Sequence, residues 1–131
     1  MKRIMIGSIP HKDHRYETVG DWYDTEQMVY IEVSEMSDPR YEILVAIHEL
    51  VEKVLCDHKG ITEQQVDEFD KKFEDEYISS CYPDLPEYVE PGNDSKAPYH
   101  RQHKIADIVE RIVANELDVN WDEYGKEIKS F

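Results

Sequence analysis

The chain has 131 residues, with 30 acidic and 15 basic side chains, so its formal net charge at pH 7 is −15. That length fits one ordinary domain, and a hydrophobic fraction of 40% fits a folded protein rather than a disordered one. The negative field repels phosphate groups, which argues against direct nucleic-acid binding, and it would attract cations or a basic protein partner.

The sequence carries no sign of a membrane protein or of a disulfide framework. No segment has the roughly 18 consecutive apolar residues that a bilayer-spanning helix requires, and the first ten residues are too short for a signal peptide. The two cysteines, Cys56 and Cys81, are too few for a disulfide scaffold, although one bridge between them is compatible with the sequence. We therefore expect a cytoplasmic protein with reduced thiols.

Two strands are predicted in the first third of the chain. Residues 2–6 form a short apolar run that ends at a glycine and a proline. Residues 27–34 alternate between apolar and polar positions, which is the clearest strand pattern in the sequence. The intervening residues 11–23 are polar and aromatic, with Gly20 marking a turn.

Four helices are predicted in the remainder of the chain. Asp38 and Pro39 suit the N-cap and first turn of the first helix, and Gly60 suits its C-terminus. Thr62 begins a capping box for the second helix. The elements are helices over residues 39–59, 62–78, 99–117 and 121–128 and a proline-rich loop over residues 79–98. Strands followed by helices indicate a single, mostly helical α+β domain.

Helical periodicity predicts which faces of the first and third helices are buried. Apolar residues at helical spacing form a broad face on the first helix and a stripe on the third, and we expect both to lie in the core. These positions are Ile43, Leu44, Ile47, Leu50, Val51, Val54 and Leu55 on the first helix and Ile105, Ile108, Val109, Ile112 and Val113 on the third.

His48 and Glu52 lie four residues apart at the rim of the first helix's apolar face, so both can contact one ion. Their nitrogen and oxygen atoms suit Zn²⁺, and also Fe²⁺ or Mn²⁺. Glu49 stands beside His48, where a general base for a metal-bound water would stand. The pattern favours a metal site. The alternative is an ordinary hydrogen-bonded pair.

The run from His48 to Glu52, His-Glu-Leu-Val-Glu, resembles the His-Glu-x-x-His signature of zincin metallopeptidases, in which two histidines bind zinc and the glutamate activates water. The resemblance covers residues 27–59, and the layout is similar to that of compact zincins that cleave phage and stress-response repressors. It implies a zincin-like fold, a zinc ion, Glu49 as the catalytic base, and an edge strand at 27–34 that holds an extended peptide substrate. Glu52 departs from the signature, which is compatible with altered or lost activity.

In zincins a later helix supplies the remaining ligand, which implies His103 here, with His100 and Asp107 as further choices. All three lie on one side of the third helix. That side is opposite the apolar stripe, which predicts exposure to solvent, although Ala106 and Ala114 leave room for a second packed face.

The remaining histidines and Cys56 are expected to have ordinary roles. His11 and His14 are predicted surface residues, as is His58 at a helix end, where an imidazolium complements the helix dipole. Cys56 is one turn beyond Glu52, and a small buried side chain is its expected role.

Three functional hypotheses follow. The first is a metal-binding zincin-like protein that acts as a metal-dependent hydrolase on a peptide or protein. The second is a non-enzymatic protein, because the short acidic chain also resembles uncharacterised proteins of phages and prophages. Its acidic face, from Glu63 to Glu76, would bind a basic host partner or mimic DNA. The third is a 2-His-1-carboxylate iron site built from the same side chains.

Overall fold

A computed structural model describes residues 2–79 and 90–131, and these residues form three strands and four helices. In chain order they are β1 (Arg3–Ile9), β2 (Gly20–Asp24), β3 (Met28–Ser34), α1 (Pro39–Lys59), α2 (Glu63–Ser79), α3 (His100–Glu116) and α4 (Trp121–Lys129). Short 3-10 turns lie at His11–Asp13 and Pro91–Asn93. The predicted α+β class is confirmed. Each helix end lies within one residue of its predicted position.

The three strands form one sheet in the order β1-β3-β2. β1 runs parallel to β3, and β2 runs antiparallel to it. β3 is therefore the central strand, and the expectation that it lies at an edge is wrong. β2 has no strand pattern in the sequence because its residues do not alternate: Asp21 and Trp22 are neighbours, and both are buried.

Local capping explains where α1 begins and ends. The side chain of Asp38 accepts a hydrogen bond from Arg40 N–H at 2.8 Å, which satisfies one of the free N–H groups of the first turn. At the other end Gly60 has φ of 72°, a left-handed conformation in which glycine carries no Cβ penalty. The cap of α2 is equally local, since Thr62 N–H donates to the Gln65 side chain and Gln65 N–H donates back.

The predicted apolar stripe of α3 is only partly buried, at Ile105, Val109 and Val113. Ile108 and Ile112 are 61% and 58% exposed. The face that packs on α1 has two fully buried small residues, Ala106 and Ala114, which let the two helix backbones approach closely. That face also carries buried polar residues, namely Gln102, His103 and Glu110. The prediction of a solvent-exposed His103 is therefore wrong.

The predicted face of α1 is only partly correct. Leu44 is fully buried, but Ile43 and Val54 are about half exposed, at 51% and 54%. The inner face carries His48 and Glu52 in addition to apolar residues. The core between the sheet and the helices thus has a polar interior on the α1–α3 side.

Several predictions fall partly outside the described residues. Cys81 and positions 80–89 of the predicted loop lie in that part of the chain. Residues 90–98 pass through the turn at Pro91–Asn93 and lead into α3. Cys56 is fully buried, and burial raises the pKa of its thiol to about 12. Within the described ranges, none of the helices has both the length and the apolar composition needed to cross a membrane.

Candidate metal centre

Three buried side chains from α1 and α3 meet at one point. His48 Nε2 lies 3.2 Å from His103 Nδ1 and 3.3 Å from Glu52 Oε2. His103 Nδ1 lies 3.0 Å from the same Glu52 oxygen. The three residues are 5% to 7% exposed. The i, i+4 spacing on α1 and the close packing of α3 therefore bring two nitrogens and one oxygen into mutual contact.

Hydrogen bonds cannot satisfy this triangle of atoms completely. A ring nitrogen donates or accepts but does not do both, and an ionised carboxylate oxygen only accepts. If His48 Nε2 and His103 Nδ1 are both protonated, both can donate to Glu52 Oε2, but the contact between the two nitrogens then has no acceptor. If only one of them is protonated, one of the three contacts joins two lone pairs. Donor atoms about 2.0–2.1 Å from a tetrahedral zinc ion are about 3.3 Å apart. The observed separations of 3.0 to 3.3 Å are close to that spacing.

The outer nitrogen of each histidine faces carboxylates. His48 Nδ1 lies 2.9 Å from Glu110 Oε1 and 3.3 Å from Asp107 Oδ1. His103 Nε2 lies 3.2 Å from Glu90 Oε2 and 3.6 Å from Asp107 Oδ2. Both nitrogens are buried, and neither has a hydrogen bond of normal geometry to a described residue. Carboxylates in these places orient metal-bound imidazoles in many sites.

Asp107 gives an alternative way to complete a metal site. His48, His103 and Asp107 each offer a ligand atom, and these atoms lie within 4.8 Å of one another. Asp107 is more exposed than the histidines, with a side-chain exposure of 36%. The buried group can therefore hold a metal ion, with the two histidines common to both arrangements.

The charges around the histidines favour a cation at this point. Burial alone would lower the pKa of His48, but Asp107, Glu110 and Glu52 raise it well above the usual value. Burial likewise opposes the charge of His103, whose pKa Glu52 and Glu90 raise to about 10.

The carboxyl group of Glu52 responds in the opposite direction. Burial would raise its pKa, but the hydrogen-bonding contacts of His103 and His48 lower the pKa to about 2. Glu52 is therefore an ionised carboxylate inside the protein, which is stable only beside positive charge.

Glu49 lies beside the triad on the side of β2. Its side chain packs so closely against Gly20 that a β-carbon there would lie 2.7 Å from Glu49 Oε1. Burial, and then the charge of Glu52, raises the pKa of the Glu49 carboxyl group well above its usual value. Glu49 thus occupies a position suited to proton transfer near the triad.

Two residues from outside the helices fix the orientation of the triad. The indole N–H of Trp22 donates to Glu52 Oε1 at 3.1 Å, which leaves Oε2 to face the histidines. The backbone of Gly92 packs against the ring of His103, and there is no room for a β-carbon at that position. β2 and the turn before α3 therefore both act as walls of the site.

The other histidines do not join this group. His100 Nδ1 lies 2.9 Å from the carbonyl oxygen of Gly92, which places it beside the 3-10 turn. His11 Nδ1 and His14 Nε2 both contact the hydroxyl of the fully buried Ser34, at 2.8 and 3.0 Å. These two side chains are partly buried rather than free on the surface, whereas His58 is exposed.

A cavity of about 780 Å³ opens onto the triad. On one wall the buried carboxyl group of Asp70 accepts hydrogen bonds from the hydroxyls of Tyr16, at 3.1 Å, and Tyr99. Burial raises the pKa of Asp70 to about 7, with Glu52 contributing in the same direction. The cavity is large enough for a small ligand or a peptide side chain.

The residues of the triad are predictable from the sequence, whereas most of the residues that support them are not. Glu110 could have been found, because it follows His103 by seven residues and Asp107 by three, which places all three on one face of α3. Trp22 and Glu90 gave no local signal, since they meet the triad only through the tertiary fold. A search among known proteins finds no matching family model, no matching curated protein and no matching solved structure.

Proposed function

We propose that this protein is a zincin-like metal-binding protein that holds zinc through His48, Glu52 and His103 and acts as a metal-dependent hydrolase. The observation that carries the proposal is the triangle of His48 Nε2, His103 Nδ1 and Glu52 Oε2, with separations of 3.0 to 3.3 Å. These three atoms can all donate electron pairs to a metal ion, and they are buried and surrounded by carboxylates. A divalent cation would satisfy all of them at once.

The ligand types support a catalytic rather than a purely structural role. Two histidines and one glutamate are a set that catalytic zinc sites use, and it leaves a fourth position for water or substrate. In the zincin signature the first helix supplies both histidines. Here α1 supplies His48 and Glu52, and α3 supplies His103. The departure at position 52 therefore changes the order of the ligands along the chain, while the number of histidines stays at two.

The chain's own residues would divide the remaining work. Zinc, when bound, supplies a Lewis acid and lowers the pKa of a water molecule. Glu49, which lines the cavity, would accept a proton from the nucleophilic water. Glu110 and Glu90 hold the rings of His48 and His103 in place through their outer nitrogens. β2 is an edge strand beside the cavity, and although Thr18 and Glu63 bind its Gly20 carbonyl and Asp24 N–H, a peptide substrate is compatible with the cavity itself.

Metal content tests the first part of the proposal. We expect one zinc ion per chain after dialysis against micromolar zinc, measured by elemental analysis and titration calorimetry. His103→Ala should abolish stoichiometric binding, whereas His100→Ala, one turn away on α3, should keep it. A wild-type protein that takes up no zinc at micromolar concentration would contradict the proposal.

Activity tests the second part. The zinc-loaded protein should cleave members of a quenched-fluorescence peptide library, and Glu49→Gln should lose cleavage while retaining the metal. Cleavage by Glu49→Gln at the wild-type rate would show that Glu49 is not the general base. Metal uptake under anaerobic conditions with Fe²⁺, compared with Zn²⁺, separates the hydrolase from the iron-site alternative.

The second hypothesis, in which the protein binds a basic partner or mimics DNA, concerns the acidic face of α2 and not the triad. It stays a separate prediction. The acidic face of α2 is already partly neutralised within the chain, because Arg15 Nη1 contacts Asp67 at 3.0 Å and Glu63 at 3.2 Å. Binding of a basic partner to this face should be insensitive to His103→Ala.

A further inference from the structure

The outer side of β1 has unpaired backbone groups. Arg3 N–H donates to the carbonyl just before β3, and the carbonyl of Ile9 accepts from the N–H just after β3. The odd-numbered residues of β1 therefore direct their backbone groups towards β3. Because direction alternates along a strand, those of Ile4, Ile6 and Ser8 point outward. No described residue pairs with them, so six donors and acceptors form a template for another strand.

The side chains of this edge are apolar and exposed. Ile4, Met5 and Ile6 are 44%, 53% and 51% exposed, and they project from both faces of the sheet. Edge strands are commonly protected by a central charge, a proline or a bulge. Between Arg3 and Ile9 the sequence has none of these charges or prolines, and its pairing with β3 is continuous. An unprotected edge strand of this kind favours pairing with another strand.

We propose that β1 pairs antiparallel with the β1 of a second copy of this chain, so that two three-stranded sheets become one six-stranded sheet. A two-fold axis at Ile6 sets Ile6 opposite the partner's Ile6 and Ile4 opposite the partner's Ser8. In this register all six outward backbone groups of each strand are hydrogen-bonded. Met5 then lies opposite the partner's Gly7, where a residue without a side chain leaves space for it.

The charges at the two ends of β1 select a second copy as the occupant. Arg3 is exposed and makes one end basic, whereas the exposed Lys2 beside it is already paired with Asp24 of β2 at 3.4 Å. The opposite end is acidic, because Ser8 donates a hydrogen bond to Glu42 and the exposed Glu35 follows β3 beside Ile9. Antiparallel pairing brings each basic end to the partner's acidic end. Two molecules of net charge −15 thus meet through opposite charges.

The pairing leaves the metal centre untouched, because the triad lies beside β2 at the other edge of the sheet. Dimerisation through β1 can therefore be tested independently of metal binding and hydrolysis. An interface of one strand pair is small, so a dissociation constant in the micromolar range is expected.

Sedimentation equilibrium of the full chain tests the pairing. We expect a monomer–dimer equilibrium between about 1 and 500 µM, the range that a small interface requires. Ile6→Lys sets two lysines face to face and should raise the dissociation constant by about tenfold or more. Ile112→Lys, at a comparably exposed isoleucine on α3, should leave it unchanged. A wild-type monomer throughout the range, or equal effects of the two variants, would overturn the proposal.

A charge exchange tests the register and does not depend on the folding of Ile6→Lys. Arg3→Glu and Glu35→Lys should each weaken the dimer, and the double variant should restore most of the lost affinity. If the double variant is as weak as the single ones, the antiparallel register is wrong. Capture of an extended peptide by a monomeric wild type would likewise replace the second copy as the occupant.

Discussion

The backbone of Gly92 lies against the imidazole ring of His103, and a β-carbon at position 92 would overlap the ring at Cγ and Nδ1. Nδ1 is the atom that faces Glu52 and His48. The turn before α3 therefore determines where one proposed ligand atom lies, although it contributes no ligand itself.

Gly92→Ala should displace His103 and weaken zinc binding by about tenfold or more, because ligand atoms must be held within about 0.5 Å. Overpacking should also lower the free energy of unfolding by about 1–3 kcal/mol. Calorimetric zinc titration and urea unfolding measure the two effects. Gly125→Ala in α4 is the matched control, since a β-carbon there meets nothing within 4 Å, and it should stabilise the protein by about 0.5–1 kcal/mol. Equal zinc affinities of the two variants would contradict the prediction.

Paired amide substitutions identify the carboxylate ligand. Glu52→Gln removes the charge from the triad and should lower zinc affinity by more than about 100-fold, which exceeds the loss typical of an outer partner. Asp107→Asn should lower it by about 10- to 100-fold if Asp107 only orients a histidine. Competition titration with a chromogenic zinc chelator measures both. If Asp107→Asn is the more damaging change, the ligands are His48, His103 and Asp107.

Trp22→Phe removes the hydrogen bond to Glu52 Oε1 and leaves a buried charged oxygen without that partner. We expect the free energy of unfolding to fall by about 1.5–3 kcal/mol, the range for a hydrogen bond to a charged group. Trp121→Phe is the control, because its indole N–H makes no hydrogen bond to a described residue. Urea denaturation followed by circular dichroism measures both variants. A loss in Trp22→Phe no larger than that in Trp121→Phe would show that the hydrogen bond contributes little.

Asp70 should make stability depend on pH in a specific direction. Burial, Glu52 and Asp67 raise its pKa to about 7, against the opposing hydrogen bonds of Tyr99 and Tyr16. Between the usual carboxyl pKa of about 4 and pH 7, the folded state keeps a proton that the unfolded state has lost. The contribution of Asp70 to stability is therefore complete at low pH and declines as the pH rises through 7.

Asp70→Asn cannot titrate, so it should lack this decline. The difference in unfolding free energy, variant minus wild type, should increase with pH between 4 and 7 by at most about 1.4 kcal/mol per unit. Urea unfolding at half-unit intervals measures the slope, and Asp75→Asn, at an exposed carboxylate on the same helix, is the control. A difference that is independent of pH would mean that Asp70 has an ordinary pKa.

Local signals in the sequence predicted the helices well. Asp38, Pro39 and Gly60 act through contacts within one turn of the chain, so the ends of α1 follow from neighbouring residues alone. β2 could not be found in this way. Its place is determined by pairing with β3 and by the burial of Trp22 against Glu52, and neither leaves a periodic pattern.

Helical periodicity alone could not predict which face of α3 is buried. The isoleucine stripe and the stripe that contains His103 are both regular, and a helical wheel distinguishes them only by polarity. The structure buries the polar stripe because its charged groups find partners across 50 or more residues of sequence, in Glu52 and His48. Small residues at Ala106 and Ala114 were the one local sign that a second face was packed.

The contact between His48 and His103 joins positions 55 residues apart. An ion held by both would stabilise the folded chain by mass action, because the unfolded chain would first have to close this loop in order to bind it. By analogy with a disulfide that closes a loop of this length, the loss of chain entropy corresponds to about 4 kcal/mol. Because this quantity depends only logarithmically on loop length, doubling the connection between α1 and α3 would change it by about 0.6 kcal/mol. A longer connection would therefore cost the proposed ion little, provided that Glu90 and Gly92 keep their places beside His103.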